Sequence, residues 1–455
     1  MSADSDLLAP LDLAFWSIES PEHPMHLAAL GIFTAGSPSA ARHAADLLAA
    51  RAAGVPGLGL RIRDIWQPLA FGGAAREAAP DFEPLDHVRL HAPAADFHAA
   101  AGAIMQRPLE RGRPPWEAHV VPGAAGTSFA VLFKFHHALA DGLRALTLAA
   151  AVLDPVGPTD VPAPRPRPEE PARGFLPDVT KLPSLVRDTL RDLGRAVDIG
   201  ASVARATRDV RSSAALVSQP TGTRRVAGAA VELDEIHLIR KSAGGTVNDV
   251  LIAVVAGALR RWLDERGDGS AGVAPRALVP VSRRRPRTAH PQGNRLSGYL
   301  MKLPVDDPDP LARLAAVRTA MDRNKEAGPH RGAGAVALLA DHLPPLGHRL
   351  GMPVVGQAAR LLFDILVTSV PLPGPGMKLG GCPLAEVYPL APLAHGQALA
   401  VAVSTFRGRV HYGLVADAQA VPDLDLLAAA LTAEVAELTA VCALRTASAG
   451  PWEAR

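Results

Sequence analysis

Between Asp154 and Pro183 the chain carries Pro155, Pro158, Pro162, Pro164, Pro166, Pro168, Pro171, Pro177 and Pro183. Proline locks φ and has no N–H, so neither a helix nor a sheet interior runs through such a stretch. An extended, semi-rigid connector is what it favours. At 455 residues the chain is also too long for one ordinary core. The break therefore predicts two folding units: residues 1–154, a crossover with an amphipathic helix over 155–220, and residues 221–455. In that helix Leu185, Val186, Leu190, Leu193, Val197, Ile199 and Val203 are interleaved with Arg187, Arg191, Arg195, Arg205, Arg208 and Arg211. Such a helix packs across both units or lies on an anionic membrane; packing is the plainer reading.

Helix and strand patterns alternate on both sides of the break, which predicts two α/β units. In the second half, 226–228 and 231–233 read as strands, and a helix opens at Val247 whose apolar run, Val250 to Leu259, stops at Arg260-Arg261. The run 276–281 reads as strand, 311 to about 366 as helix-rich, and 397–405 and 410–414 as strands joined at Arg407-Gly408. A last helix follows Asp423, with Leu424, Leu427, Leu431, Val435, Leu438 and Cys442 at helical spacing.

The chemistry is concentrated in His136-His137-Ala138-Leu139-Ala140-Asp141-Gly142. Ahead of it Phe129, Val131, Phe133 and Phe135 share one strand face; after it Leu143, Leu146, Ala150 and Leu153 follow a helical period. The run thus sits on a strand-to-helix turn, where a side chain is exposed yet rigidly held. Neighbouring strand residues point to opposite faces, so only one histidine enters a given cavity. That argues for a single positioned base rather than a two-histidine metal site, since imidazole exchanges protons near neutral pH. Asp141 stands where a helix N-cap belongs, and Gly142 where backbone approaches closely or takes a conformation closed to other residues. Asn248 has two readings, an active-site polar group or the N-cap of the helix opened by Thr246-Val247-Asn248-Asp249.

These seven residues match the HHxxxDG signature of acyl-CoA-dependent acyltransferases with a chloramphenicol-acetyltransferase-like fold. Flanking segments resemble, more narrowly, the bacterial wax ester synthase/diacylglycerol acyltransferase family. They are Pro10-Leu11-Asp12 with Phe15, Glu19-Ser20-Pro21 and Pro24-Met25-His26, then Arg107-Pro108-Leu109-Glu110-Arg111 with Arg113-Pro114 and Trp116-Glu117. Later come Asn248-Asp249-Val250, Val279-Pro280-Val281-Ser282, Gly293-Asn294-Arg295, Leu303-Pro304, and Gly396-Gln397 to Asp417, in the family's order. The resemblance implies two chloramphenicol-acetyltransferase-like α/β domains forming a pseudo-dimer, with a tunnel at their interface. It implies transfer of a fatty acyl group from acyl-CoA to a diacylglycerol or a long-chain alcohol. His137 would be the general base, with His136 turned away and supporting the turn. The acceptor hydroxyl would attack the thioester directly, without an acyl-enzyme, and Asn248 is the candidate contact for the oxyanion. The chain departs from the family pattern at Ser369-Val370-Pro371-Leu372-Pro373-Gly374-Pro375, at Pro115 before Trp116, and at His395 before Gly396, which bears on the acceptor pocket.

The net charge of +2 argues against a nucleic-acid binder. Cys382 and Cys442 give neither a disulfide framework nor metal spacing, and suit a reducing cytoplasm. No cofactor or metal is expected beyond acyl-CoA as co-substrate. Asp4 and Asp6 sit where a signal peptide carries positive charge, and no apolar run reaches the ~18–20 residues of a membrane span. The expectation is a cytoplasmic protein, soluble or peripheral at the inner membrane face or a lipid droplet. The cluster Arg283, Arg284, Arg285, Arg287, His290 and Arg295 reads as a solvated loop or as a grip on CoA phosphates, chiefly through Arg283, Arg284 and Arg295. The apolar stretch 336–370 reads as packed helices or as a lipid dock. Two alternatives accompany the leading one: an acyltransferase of specialised metabolism, and a non-catalytic lipid-binding module.

Overall fold

The computed structural model describes residues 6–65, 73–154, 212–282, 296–327, 363–372 and 376–448. Its first half contains β1 (Asp6–Leu7), α1 (Pro10–Ile18), β2 (His26–Thr34), α2 (Ala40–Ala52), β3 (Leu60–Asp64) and β4 (Ala74–Ala78). It continues through β5 (Val88–Leu90), α3 (Phe97–Met105), β6 (Trp116–Pro122), β7 (Ser128–His136) and α4 (Gly142–Ala151). The second half contains β8 (Arg225–Glu232), α5 (Leu233–Ala243), α6 (Val247–Arg266), β9 (Arg276–Ser282), β10 (Leu296–Lys302), α7 (Pro310–Ala327) and β11 (Ile365–Pro371). It ends with β12 (Lys378–Leu379), β13 (Cys382–Leu390), β14 (Leu399–Phe406), β15 (Arg409–Ala416) and α8 (Leu424–Ser448). Of the expected crossover, 155–220, residues 155–211 lie outside the described residues, and the described end carries a short 3-10 turn, Ala214–Leu216.

Two six-stranded sheets dominate, ordered β12-β13-β2-β7-β6-β5 and β10-β9-β11-β14-β15-β8. Strand alternation decides what each face meets. On β7 the odd residues Phe129, Val131, Phe133 and Phe135 pack on α2 through Ala41, Ala44 and Leu48. The even residues Ala130 and Leu132 face an apolar layer shared with Val226, Ala400, Ala402 and Val415 of the other half. The two-domain α/β architecture is therefore as expected, with the sheets joined through a core rather than merely tethered.

Several expectations need correction. Residues 221–455 are not a self-contained unit: β13 pairs antiparallel with β2, Leu390 opposite Ala28, and so belongs to the first half's sheet. It covers an edge of β2 that would otherwise expose unpaired backbone. The helix-rich reading to residue 366 also fails at its end. Residues 328–362 are outside the described residues, but Ile365–Pro371 is a parallel strand running beside β14 and β9. A short apolar run cannot be told from a helix by period alone. The two strands read over 226–233 are one, β8, followed by α5. The apolar run of α6 stops at Arg260-Arg261 as expected, but the helix goes on, with Arg260 donating to the Ser270 hydroxyl at 2.7 Å and Arg261 to Glu434 at 3.2 Å. The helix stops instead at Gly267, whose φ is 80°. Arg407 (φ 49°) and Gly408 (φ 77°) make the expected tight turn between β14 and β15. By length and composition Leu424–Arg445 qualifies as a membrane span, against the sequence expectation; here Leu424, Leu431 and Leu438 are buried in the second half's core. Both cysteines are buried free thiols.

Candidate active site

The HHxxxDG run forms a tight turn whose own backbone accounts for its shape. His136 ends β7, opposite His26 of β2. Its carbonyl accepts from Leu139 N at 2.9 Å, and its Nδ1 accepts from Ala138 N at 3.0 Å. His137 N donates to the Met25 carbonyl at 2.8 Å, tying the turn to the segment before β2. Asp141 caps α4 as expected, accepting from Arg144 N at 2.8 Å. The helix buries Ala145, Leu148 and Ala149, while Leu143, expected inside, is exposed.

His136 points away from His137 and into a polar nest. Its Nε2 lies 3.3 Å from Glu19 Oε1, and the edge of Trp16 meets its ring at 5.0 Å. Glu19 also accepts from Met25 N at 3.1 Å and lies 3.5 Å from Arg111. Burial alone would raise the Glu19 pKa; His136, the Met25 amide and Arg111 outweigh it and hold the carboxyl below its usual range. Arg111 stacks over Trp16 at 4.3 Å.

His137, half-buried, stacks on Phe15 of α1 with ring centroids 4.0 Å apart. Desolvation drives its pKa down to about 4, only partly opposed by its own backbone and the nearby Asp141 carboxylate. The imidazole is therefore neutral at physiological pH, the state a base requires.

Beneath the turn lies a small third sheet, β1-β4-β3, which with α1 encloses Ala138 among Leu8, Leu13, Trp16, Ile62 and Ala74. Arg76 of β4 and Asp12 of α1 form a fully buried ion pair at 2.6 Å, and Arg76 also donates to the Ala138 carbonyl at 2.7 Å. Sequence reasoning missed this clamp. Asp12, Phe15 and Glu19 stand in the sequence only within the resembling segments, and nothing in Ala74–Ala78 marks Arg76.

The other candidates fare differently. Gly142 has no positive φ, and a Cβ there would meet Val370 at an ordinary 3.6 Å, so the fold does not require glycine as supposed. That contact brings β11 against the motif, beside the departing Ser369, which is exposed. Thr246, not Asn248, is the N-cap of α6: its hydroxyl accepts from Asp249 N, and Asp249 accepts from Thr246 N at 2.8 Å. Asn248 sits half-buried in the first turn of α6. Arg283, Arg284 and Arg295 lie outside the described residues. His395 packs edge-on against His23. Beside the turn opens a cleft of about 430 Å³, lined by Trp16, Glu19, Ser20, Asp64, Leu109 and Arg111.

Facing α/β sheets with HHxxxDG on a strand-to-helix turn define a two-domain acyltransferase of the chloramphenicol-acetyltransferase type. Residues 8–251 match the wax ester synthase/diacylglycerol acyltransferase catalytic domain and residues 292–439 the C-terminal domain of the same family. The chain belongs to that family. It is 31% identical to a probable diacylglycerol O-acyltransferase, tgs2, of Mycobacterium tuberculosis, over 95% of this chain and 98% of the relative. It is 27% identical to that organism's tgs1, over 95% and 96%. The solved wax ester synthase/diacylglycerol acyltransferase of Marinobacter aquaeolei VT8 superposes with a TM-score of 0.70 at 23% identity, covering 96% of this chain and 100% of that one. A trichothecene 15-O-acetyltransferase from Fusarium sporotrichioides shares the fold, with a TM-score of 0.60 at 10% identity over 95% of each chain.

Proposed function

We propose that this acyltransferase moves a long-chain fatty acyl group from acyl-CoA to the hydroxyl of a diacylglycerol, a long-chain alcohol, or both, with His137 as general base. The observation that carries the role of His137 is its place on the HHxxxDG turn, its N–H held by the Met25 carbonyl and its ring stacked on Phe15, with burial favouring the neutral imidazole. The imidazole takes the acceptor's proton as its oxygen attacks the thioester carbonyl. A tetrahedral oxyanion forms and collapses, and the imidazolium returns the proton to the departing CoA thiolate. Burial makes that imidazolium costly, which favours prompt return of the proton. No acyl-enzyme forms, and no cofactor enters beyond acyl-CoA.

Both substrates meet in a tunnel between the two domains, a reading supported by the contact of Gly142 with Val370 across the halves. Asn248 is the proposed polar contact for the oxyanion, and Arg283, Arg284 and Arg295 are the proposed phosphate contacts for CoA. An acceptor that lives in lipid and a donor that lives in water call for a cytoplasmic enzyme that works peripherally at a membrane or lipid droplet.

The test offers palmitoyl-CoA with hexadecanol or dioleoylglycerol to the protein and to its His137→Ala variant, following thiol release and neutral-lipid product. Acceptor-dependent ester that falls by about 10²–10⁴ in the variant supports the reading. Unchanged turnover in the variant refutes the base. No ester from either acceptor moves the substrate to a specialised-metabolite hydroxyl.

A further inference from the structure

We infer that Arg76, anchored by Asp12, is a positioning residue for the reaction: it holds the Ala138 carbonyl and thereby aims the imidazole of His137. The inference rests on the acyl-transfer reading for its catalytic consequence, while its structural part stands apart from it.

The geometry is specific. Arg76 is 3% exposed and Asp12 is 0% exposed, so both charges have been taken out of water. A buried pair of this kind is weak as a source of stability, because desolvation cancels most of the Coulomb attraction. What it does supply is direction. Asp12 holds the guanidinium at 2.6 Å, and the same Nη2 donates to the Ala138 carbonyl at 2.7 Å. The Ala138 carbonyl lies in the Ala138–Leu139 peptide, one plane beyond the His137–Ala138 peptide, so the grip on it reaches the His137 backbone through the Ala138 Cα that the two planes share. Two further restraints on His137 are its N–H on Met25 and its ring on Phe15. Phe15 and Asp12 share α1, so one helix supplies both the ring that packs on the imidazole and the anion that fixes the clamp. Arg76 itself is pinned on β4, opposite Asp6 on one side and Ile62 on the other. The small sheet thus acts as a platform that transmits its rigidity to the catalytic turn.

Charged and titratable groups around the imidazole can be named element by element. The turn supplies His136 and Asp141, which act on the imidazole, while Asp12 of α1 and Arg76 of β4 meet at the Ala138 carbonyl. The segment after α1 brings Glu19, on His136. From β11, the uncharged Val370 lies against Gly142 of the turn.

The discriminating variant is the double Asp12→Asn/Arg76→Met, which removes both charges while keeping similar volume and so folds without an orphaned ion. If the pair were only structural, the neutral replacement would restore both stability and turnover. Positioning predicts otherwise. In the folded double variant, kcat with palmitoyl-CoA falls by about tenfold or more while KM stays within about twofold, because aim is lost and binding is not. The imidazole carbon resonance of His137, in protein with labelled histidine and assigned by its loss in His137→Gln, moves or broadens. Wild-type kcat in the folded double variant, or an unmoved His137 resonance, overturns the inference. The resonance is read without turnover, so a wild-type protein that transfers no acyl group would defeat the proposed function and leave this test decisive.

Discussion

Gly257→Ala sets two effects of opposite sign against each other within the second half. Gly257 lies inside α6, where alanine in place of glycine normally stabilises a helix by about 1 kcal/mol. The structure predicts the reverse. A Cβ at this position would lie 2.1 Å from Glu434 Cδ and 2.2 Å from its Oε1. Ordinary contact needs ~3.5 Å, so the carboxylate must retreat by more than ~1 Å. It has nowhere to retreat. Glu434 is fully buried, 2.6 Å from Arg313 and 3.2 Å from Arg261, and Arg313 is itself 2% exposed. Displacing one member of a buried pair costs about 3–5 kcal/mol, because the other charge is left without its partner. Subtracting the helix gain leaves a net loss of roughly 2–4 kcal/mol. Urea unfolding followed by far-ultraviolet circular dichroism on both proteins reads this directly. A variant as stable as the parent, or more so, would mean that the carboxylate does not lie across Gly257, and the reasoning would fall.

Two further predictions are as direct. Burial holds the imidazole of His411 near 4, with Glu386 opposing and Arg409 adding to the effect, so the unfolded chain binds a proton below 6.5 that the folded chain refuses. That contribution is intact above 6.5 and is lost as pH falls toward 4; removing it by His411→Phe should shrink the stability lost between about pH 7 and pH 5 by about 2 kcal/mol, and an equal loss in both proteins would sink the idea. Gly142→Ala should leave the free energy of unfolding unchanged within about 0.5 kcal/mol, since its Cβ would make only ordinary contact with Val370; a marked fall would show that the turn needs glycine after all.

Local pattern told most where one face of an element meets one environment. The alternation of Phe129 to Phe135, the Asp141 cap, the Arg407-Gly408 turn and the helix from Asp423 were all legible, because each follows from neighbours within a few residues. The motif order carried the family as well. Misreadings arose where an apolar run is short or where partners are remote. Ile365 to Pro371 could not be told from the end of a helix without the β14 and β9 strands that pair with it.

The chain by itself determined that there would be two α/β halves and a histidine pair on a strand-to-helix turn, since both depend on backbone preference and side-chain period. Only the tertiary structure decided that β13 crosses into the other half's sheet and that Glu19 receives His136. It alone revealed that Arg76 and Asp12 grip the carbonyl behind His137. These contacts join residues many tens of positions apart, and a buried charge chooses its partner by the geometry of the folded chain, which no local pattern encodes.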